Sequence, residues 1–140
     1  MQIEFTVPQP ENLLKAACSV PIARRGESWS EACLGPKGKN QGVYVIFHGD
    51  KVIYVGKTDG PSMFFGMRLR REFQESASSG RHIYPKLAAL ATPPSIQVSM
   101  LSTQEIRALV SVNGLVLADD DLIRPCEAVL IAVYKPALQV

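Results

Sequence analysis

Residues 42–58 read Gly42-Val43-Tyr44-Val45-Ile46-Phe47-His48-Gly49-Asp50-Lys51-Val52-Ile53-Tyr54-Val55-Gly56-Lys57-Thr58, and this stretch decides the fold. Val43 to Phe47 and Val52 to Val55 are runs of β-branched and aromatic residues, which suit a pleated, half-buried surface. His48-Gly49-Asp50 between them has turn chemistry, so the whole reads as a β-hairpin. Its register carries chemical meaning. Side chains alternate along a strand, so an odd loop sets Tyr44 and Tyr54 on one face and an even loop sets them on opposite faces. A three-residue loop with Tyr44 directly opposite Tyr54 is the expectation.

Outward from the hairpin, Phe65, Leu69 and Phe73 recur at four-residue spacing and predict a helix over about 62–76, with Arg68 and Glu72 on an adjacent face. A short helix over 83–91 follows, its start confined by Pro85. Ile96, Val98 and Met100 alternate with polar residues as a third strand. Ser102-Thr103-Gln104-Glu105 has capping-box spacing and predicts a helix over 103–110, while Val112-Asn113-Gly114-Leu115 competes as a hairpin turn. From Asp121 to Tyr134 the pattern is a buried helix with aspartates at its positive end. Upstream, a helix over 10–19 and a Gly/Lys-rich linker over 35–39 are the visible features, and Trp29 reads as a core cover. The fold class is therefore α+β: a small three-stranded, mainly antiparallel sheet flanked by helices. Residues 1–41 form an N-terminal extension and 42–140 the main domain.

A chain of 140 residues with 46% hydrophobic and 20% charged side chains can bury a core without disulfides or a structural metal. Cys18, Cys33 and Cys126 are odd in number and lack zinc-like or redox-like spacing, which points to small buried hydrophobes in a reducing cytoplasm. No secretory signal and no run approaching ~18 apolar residues is present, so no membrane partner is expected. The net charge of +2 is unevenly spread. Residues 51–90 carry seven basic and three acidic side chains, the basic ones being Lys51, Lys57, Arg68, Arg70, Arg71, Arg81 and Lys86. Such a patch suits a phosphate backbone, although a solvated helix face has the same composition.

Glu127 stands out among the candidate chemical groups. It lies in the apolar stripe of the last helix, four residues after Ile123 and three before Leu130, and an ionised carboxylate there needs a cation, a partner or a raised pKa. An ion pair with Arg124 or another arginine is the structural alternative to a divalent metal. Tyr44 and Tyr54 on one face near Lys57 and Arg68 are catalytic candidates, with Lys57 the expected source of positive charge favouring a phenolate. His82 is open between a phosphate contact, proton transfer and a purely structural place.

Gly42-Val43-Tyr44 and Tyr54-Val55-Gly56, with tyrosines ten residues apart, together with Arg68-Leu69 and Phe73, His82 with Lys86-Leu87, and Glu127 ahead of Lys135-Pro136, resemble the GIY-YIG nucleases of the excision-repair and homing type. The resemblance runs across about 42–139. It implies a metal-dependent endonuclease that hydrolyses phosphodiester bonds, with DNA as the expected nucleic acid. In it Glu127 holds one Mg²⁺ or Mn²⁺, Arg68 holds phosphate, Tyr44 accepts a proton from water, and Tyr54 orients water or phosphate; the two tyrosine roles are interchangeable at this level. Arg70, Arg71, Arg81 and Lys86 are the expected backbone-binding cations. Two positions depart from the family pattern. Glu72 stands where relatives often carry histidine or tyrosine, and Gln139 where they often carry asparagine. These changes also fit a catalytically weakened scaffold that binds nucleic acid or protein. Specificity is expected from residues 1–41, from the insertion around 102–120, or from a partner protein or further domain, and the oligomeric state is left open.

Overall fold

The computed structural model describes residues 2–58, 60–79, 82–90, 96–113 and 117–139. In chain order its elements are β1 (Gln2–Phe5), α1 (Pro10–Lys15), β2 (Cys18–Ser19), β3 (Gly42–His48), β4 (Lys51–Lys57), α2 (Phe65–Phe73), α3 (Tyr84–Leu90), β5 (Ile96–Ser102), α4 (Thr103–Ala108), β6 (Val110–Asn113) and α5 (Ile123–Tyr134). Short 3₁₀ segments cover Glu31–Lys39, Glu75–Ala77 and Asp119–Leu122. The chain is α+β with antiparallel sheets. The main sheet has four strands in the order β2-β5-β3-β4, and β1 pairs with β6 as a separate ribbon.

The expected three-stranded sheet is therefore corrected to four strands. The fourth is β2, two residues long, from a stretch expected to continue the first helix. That helix ends at Lys15, and Cys18 and Ser19 then pair with Val98 and Gln97 of β5. A two-residue strand has no periodicity to read, so only its partner identifies it. The anticipated linker over 35–39 is likewise part of a 3₁₀ segment that buries Leu34 and Gly38.

The hairpin forms with a different loop from the one expected. His48 pairs with Lys51 and Phe47 with Val52 around a two-residue Gly49-Asp50 turn, and the register then shifts so that Ile46 faces Tyr54 and Tyr44 faces Gly56. Ile53 is the extra residue of this bulge. An even loop alone would have parted the tyrosines; the inserted residue restores their parity, and both side chains belong to one face of the sheet.

That face packs Tyr44, Ile46, Val98 and Met100 against Phe65, Leu69 and Phe73 of α2, Leu87 of α3, and Trp29. The other face packs Val43, Val45, Phe47, Val55 and Leu101 against Ile106 of α4 and Ile123, Cys126 and Leu130 of α5. A fully buried Phe or Leu contributes about 1.5–3 kcal/mol, so the α2 stripe is a principal tie between helix and sheet. The helix is shorter than expected because Gln74 is extended and joins Ala23 in a parallel bridge. The capping box forms as read: Ser102 Oγ accepts from the Glu105 amide and Glu105 Oε1 from the Ser102 amide. Beyond α4 the chain enters β6 and pairs with β1, while residues 114 and 115 of the competing hairpin turn lie outside the described residues.

Candidate active site

Strand register delivers the two phenols. Tyr44 on β3 and Tyr54 on β4 have ring centroids 6.3 Å apart and tilted by 36°. Gly56 makes room for them: a Cβ there would lie 2.3 Å from Tyr44 Oη and 2.4 Å from its Cζ, so the Tyr44 ring occupies the space a side chain would need. Gly42 has φ +153°, and a Cβ there would meet the Leu101 carbonyl oxygen at 1.9 Å. Both glycines of the two triplets are thus demanded by close approach rather than by turns. Thr58 closes this end of the hairpin, its Oγ1 accepting from the Gly42 amide at 3.1 Å and its own amide donating to the Gly42 carbonyl at 3.0 Å.

Helix α2 supplies the cation. The Arg68 guanidinium stands 5.8 Å from the centroid of the Tyr44 ring, and Nη1 donates to Glu72 Oε1 at 3.1 Å. The pair is buried: the Arg68 side chain is 12% exposed and that of Glu72 0%. Tyr44 is also fully buried, while Tyr54 is half-buried. Neither Tyr44 Oη nor Glu72 Oε2 has a hydrogen-bond partner. The two groups are nonetheless close enough for Tyr44 to help hold down the Glu72 pKa and for Glu72 to raise that of Tyr44.

The electrostatics differ from expectation. Burial pushes Tyr44 well above the ordinary tyrosine range, and Glu72 adds to it, against a lowering by Arg68. Tyr54 is raised in the same order, with Arg68 opposing through charge and a hydrogen bond. The cation that acts on the phenols is Arg68, and neither phenol is biased toward phenolate. Lys57 pairs with Val43, and alternation sets it on the α5 face, opposite the phenols. Glu72 is itself raised, by burial first, with Arg68, the Ile83 amide and Tyr44 pulling down.

Glu127 lies on α5, half-buried beside Cys126, whose thiol burial and Glu127 together push up to about 12. Although α5 belongs to the opposite layer, the Glu127 charge raises both Tyr44 and Tyr54. A cavity of about 220 Å³ is lined by Gln41, Lys57, Thr58, Asp120, Ile123 and Arg124, without Glu127. A larger one of about 670 Å³, lined by Pro8, Asp50, Lys51, Val133 and Tyr134, sits at the hairpin-turn end and includes neither tyrosine of the cluster.

The remaining candidates divide. His82 turns its Nδ1 to accept from the Ser79 amide at 2.8 Å, and burial, then Arg68 and Arg71, lower its pKa. Arg70 is tied to the Trp29 carbonyl at 3.3 Å. Arg71 and Lys86 are exposed, and Arg81 lies outside the described residues. Gln139 clamps the backbone of β4: the Val55 amide donates to its Oε1 and its Nε2 donates to the Val55 carbonyl, both at 2.9 Å. Sequence reasoning missed this clamp and the full burial of Glu72, although Glu72 lies between Leu69 and Phe73 on the turn that faces the sheet. No protein family, curated protein or solved structure matches this chain.

Proposed function

We propose that this chain is a divalent-metal-dependent endonuclease of the GIY-YIG type, hydrolysing nucleic-acid phosphodiester bonds, with DNA as its substrate. The observation that carries the reading is the convergence of Tyr44, Tyr54 and Arg68 within ring-contact distance, with the Glu127 charge acting on both phenols from the opposite layer. Arg68 holds a non-bridging phosphate oxygen through its guanidinium fork and stabilises the charge that grows as water attacks phosphorus. Tyr54, the phenol with access to solvent, orients that water. Tyr44 accepts its proton once Arg68 has moved off the Tyr44 ring toward phosphate. Mg²⁺ or Mn²⁺ would be held by Glu127 with water completing its shell, since such ions in phosphate chemistry use one or two carboxylates and otherwise water; no three His, Cys, Asp or Glu side chains group together among the described residues. A bound ion would supply charge stabilisation at the phosphoryl oxygens. Exposed Arg71 and Lys86 track the backbone.

One observation favours a second reading, a non-catalytic module for nucleic acid or protein on the same scaffold: Arg68 already holds a buried carboxylate where the first reading needs a phosphate. Cleavage assays on duplex, branched and single-stranded DNA and on RNA, with Mg²⁺ or EDTA, separate the two. Glu127→Gln is expected to abolish Mg²⁺-dependent cleavage while melting temperature and nucleic-acid affinity hold. Full activity in the variant rules out the metal role of Glu127, and no cleavage by the wild type on any substrate ends the hydrolase reading.

A further inference from the structure

A buried donor and a buried acceptor, each without a hydrogen-bond partner, both stand at Arg68 in this site. Tyr44 Oη can donate one hydrogen bond and Glu72 Oε2 can accept one; both are sealed from water, where an unmet polar group is costly. Glu72 meets Arg68 on its own helix, Tyr44 from β3 and the Ile83 amide ahead of α3; it acts on Tyr54 from β4, and Glu127 from α5 acts on both phenols. Its Oε1 accepts from Arg68, and its Oε2 has no hydrogen-bond partner.

We infer that Glu72 is the terminal proton acceptor of this site, receiving through Tyr44 the proton that the attacking water gives up. The inference rests on the hydrolase reading and explains how a phenol with no bias toward phenolate can take up a proton at all. As the new oxygen–phosphorus bond forms and the bond from phosphorus to the leaving oxygen breaks, the water O–H bond breaks and its proton passes to Tyr44 Oη. The original Tyr44 proton passes to Glu72 Oε2, the leaving oxygen is protonated from solvent, and Glu72 later returns its proton to solvent. The tyrosine ends each cycle neutral. Arg68 couples the relay to substrate: its guanidinium exchanges Glu72 Oε1 for a phosphate oxygen, which uncovers Tyr44 and leaves Glu72 without its counter-ion, a buried carboxylate with greater demand for a proton.

Two measurements test this. The first needs no turnover: the Glu72 carboxyl is titrated by carbon NMR in the wild type and in Tyr44→Phe. Loss of the Tyr44 hydroxyl, which helps hold the Glu72 pKa down, is expected to move its midpoint to higher pH, and an unmoved midpoint overturns the inference. The second is the pH dependence of kcat and KM for Glu72→Gln, whose amide oxygen can still accept from Arg68 and whose fold is checked by melting temperature. The relay predicts a kcat lower by roughly 10²-fold or more with KM little changed and the acidic limb of the profile lost. A variant as fast as the wild type, or faster, shows that Glu72 only blocks Arg68 and overturns the relay. A wild type that cleaves nothing ends the hydrolase reading and the relay with it, whereas a slow Glu72→Gln beside an active wild type leaves both standing.

Discussion

Gly56 shows how much chemistry a single missing Cβ carries. Its space is filled by the fully buried ring of Tyr44, with Oη, Cζ and Cε2 all within 2.8 Å of where the Cβ would stand. The ring cannot swing away without dislodging Phe65, Leu69 and Met100, its partners in the same core. Gly56→Ala is therefore expected to destabilise the fold by about 1–3 kcal/mol, measured by denaturant unfolding, as overpacked cores do. The variant should also lose the Tyr44–Tyr54 contact. A neutral Gly56→Ala would mean that the ring lies elsewhere in solution.

At the scale of elements, β4 is the vulnerable strand. It forms one edge of the main sheet and carries Tyr54. Edge strands present unpaired backbone groups, and here the chain after α5 covers them. The helix stops where Lys135 adopts φ 49° ahead of Pro136, and the returning segment then donates the Leu138 amide to the Ile53 carbonyl at 2.8 Å and places the Gln139 amide against Val55. These bonds fall on either side of Tyr54. Gln139→Ala is expected to cost about 1–2 kcal/mol for two lost hydrogen bonds. Native-state hydrogen exchange should show the Val55 amide opening faster while amides in β5, at the sheet's interior, keep their protection. Unchanged exchange at Val55 would show that water replaces the clamp without loss.

The whole molecule depends on its N-terminal residues more than their composition suggests. They provide β2 on the far edge of the main sheet, β1 of the second ribbon, and Val20, Ala23, Trp29 and Leu34 of the first core. Trp29 is 2% exposed and stacked on Phe73 at 6.1 Å, its amide donates to Gln74 Oε1 at 2.8 Å, and the Ala23 amide donates to the Phe73 carbonyl at 2.8 Å. This segment therefore fixes the end of the helix that carries Arg68 and Glu72. Deleting residues 1–30 is expected to leave a chain without cooperative thermal unfolding or near-ultraviolet circular dichroism, because α2 loses its cover. A truncated chain that melts as sharply as the full one would show residues 31–140 to be self-sufficient. At this scale too, no helix among the described residues is long and apolar enough to cross a membrane.

Local chemistry determined much of this. Alternating β-branched residues, the four-residue spacing of Phe65, Leu69 and Phe73, and the capping box at Ser102 act over a few residues, so the hairpin, α2, β5 and α4 were legible from the amino acids alone. The common face of the two tyrosines was also legible, though through a loop length that the fold replaced with a tighter turn and a bulge at Ile53. Tertiary structure alone decided the rest. A two-residue strand exists only because β5 lends it hydrogen bonds. Glu72 becomes a sealed carboxylate only when the sheet closes over α2. Burial, pairing and the electric field at a phenol arise from groups distant in sequence, and no window along the chain contains them.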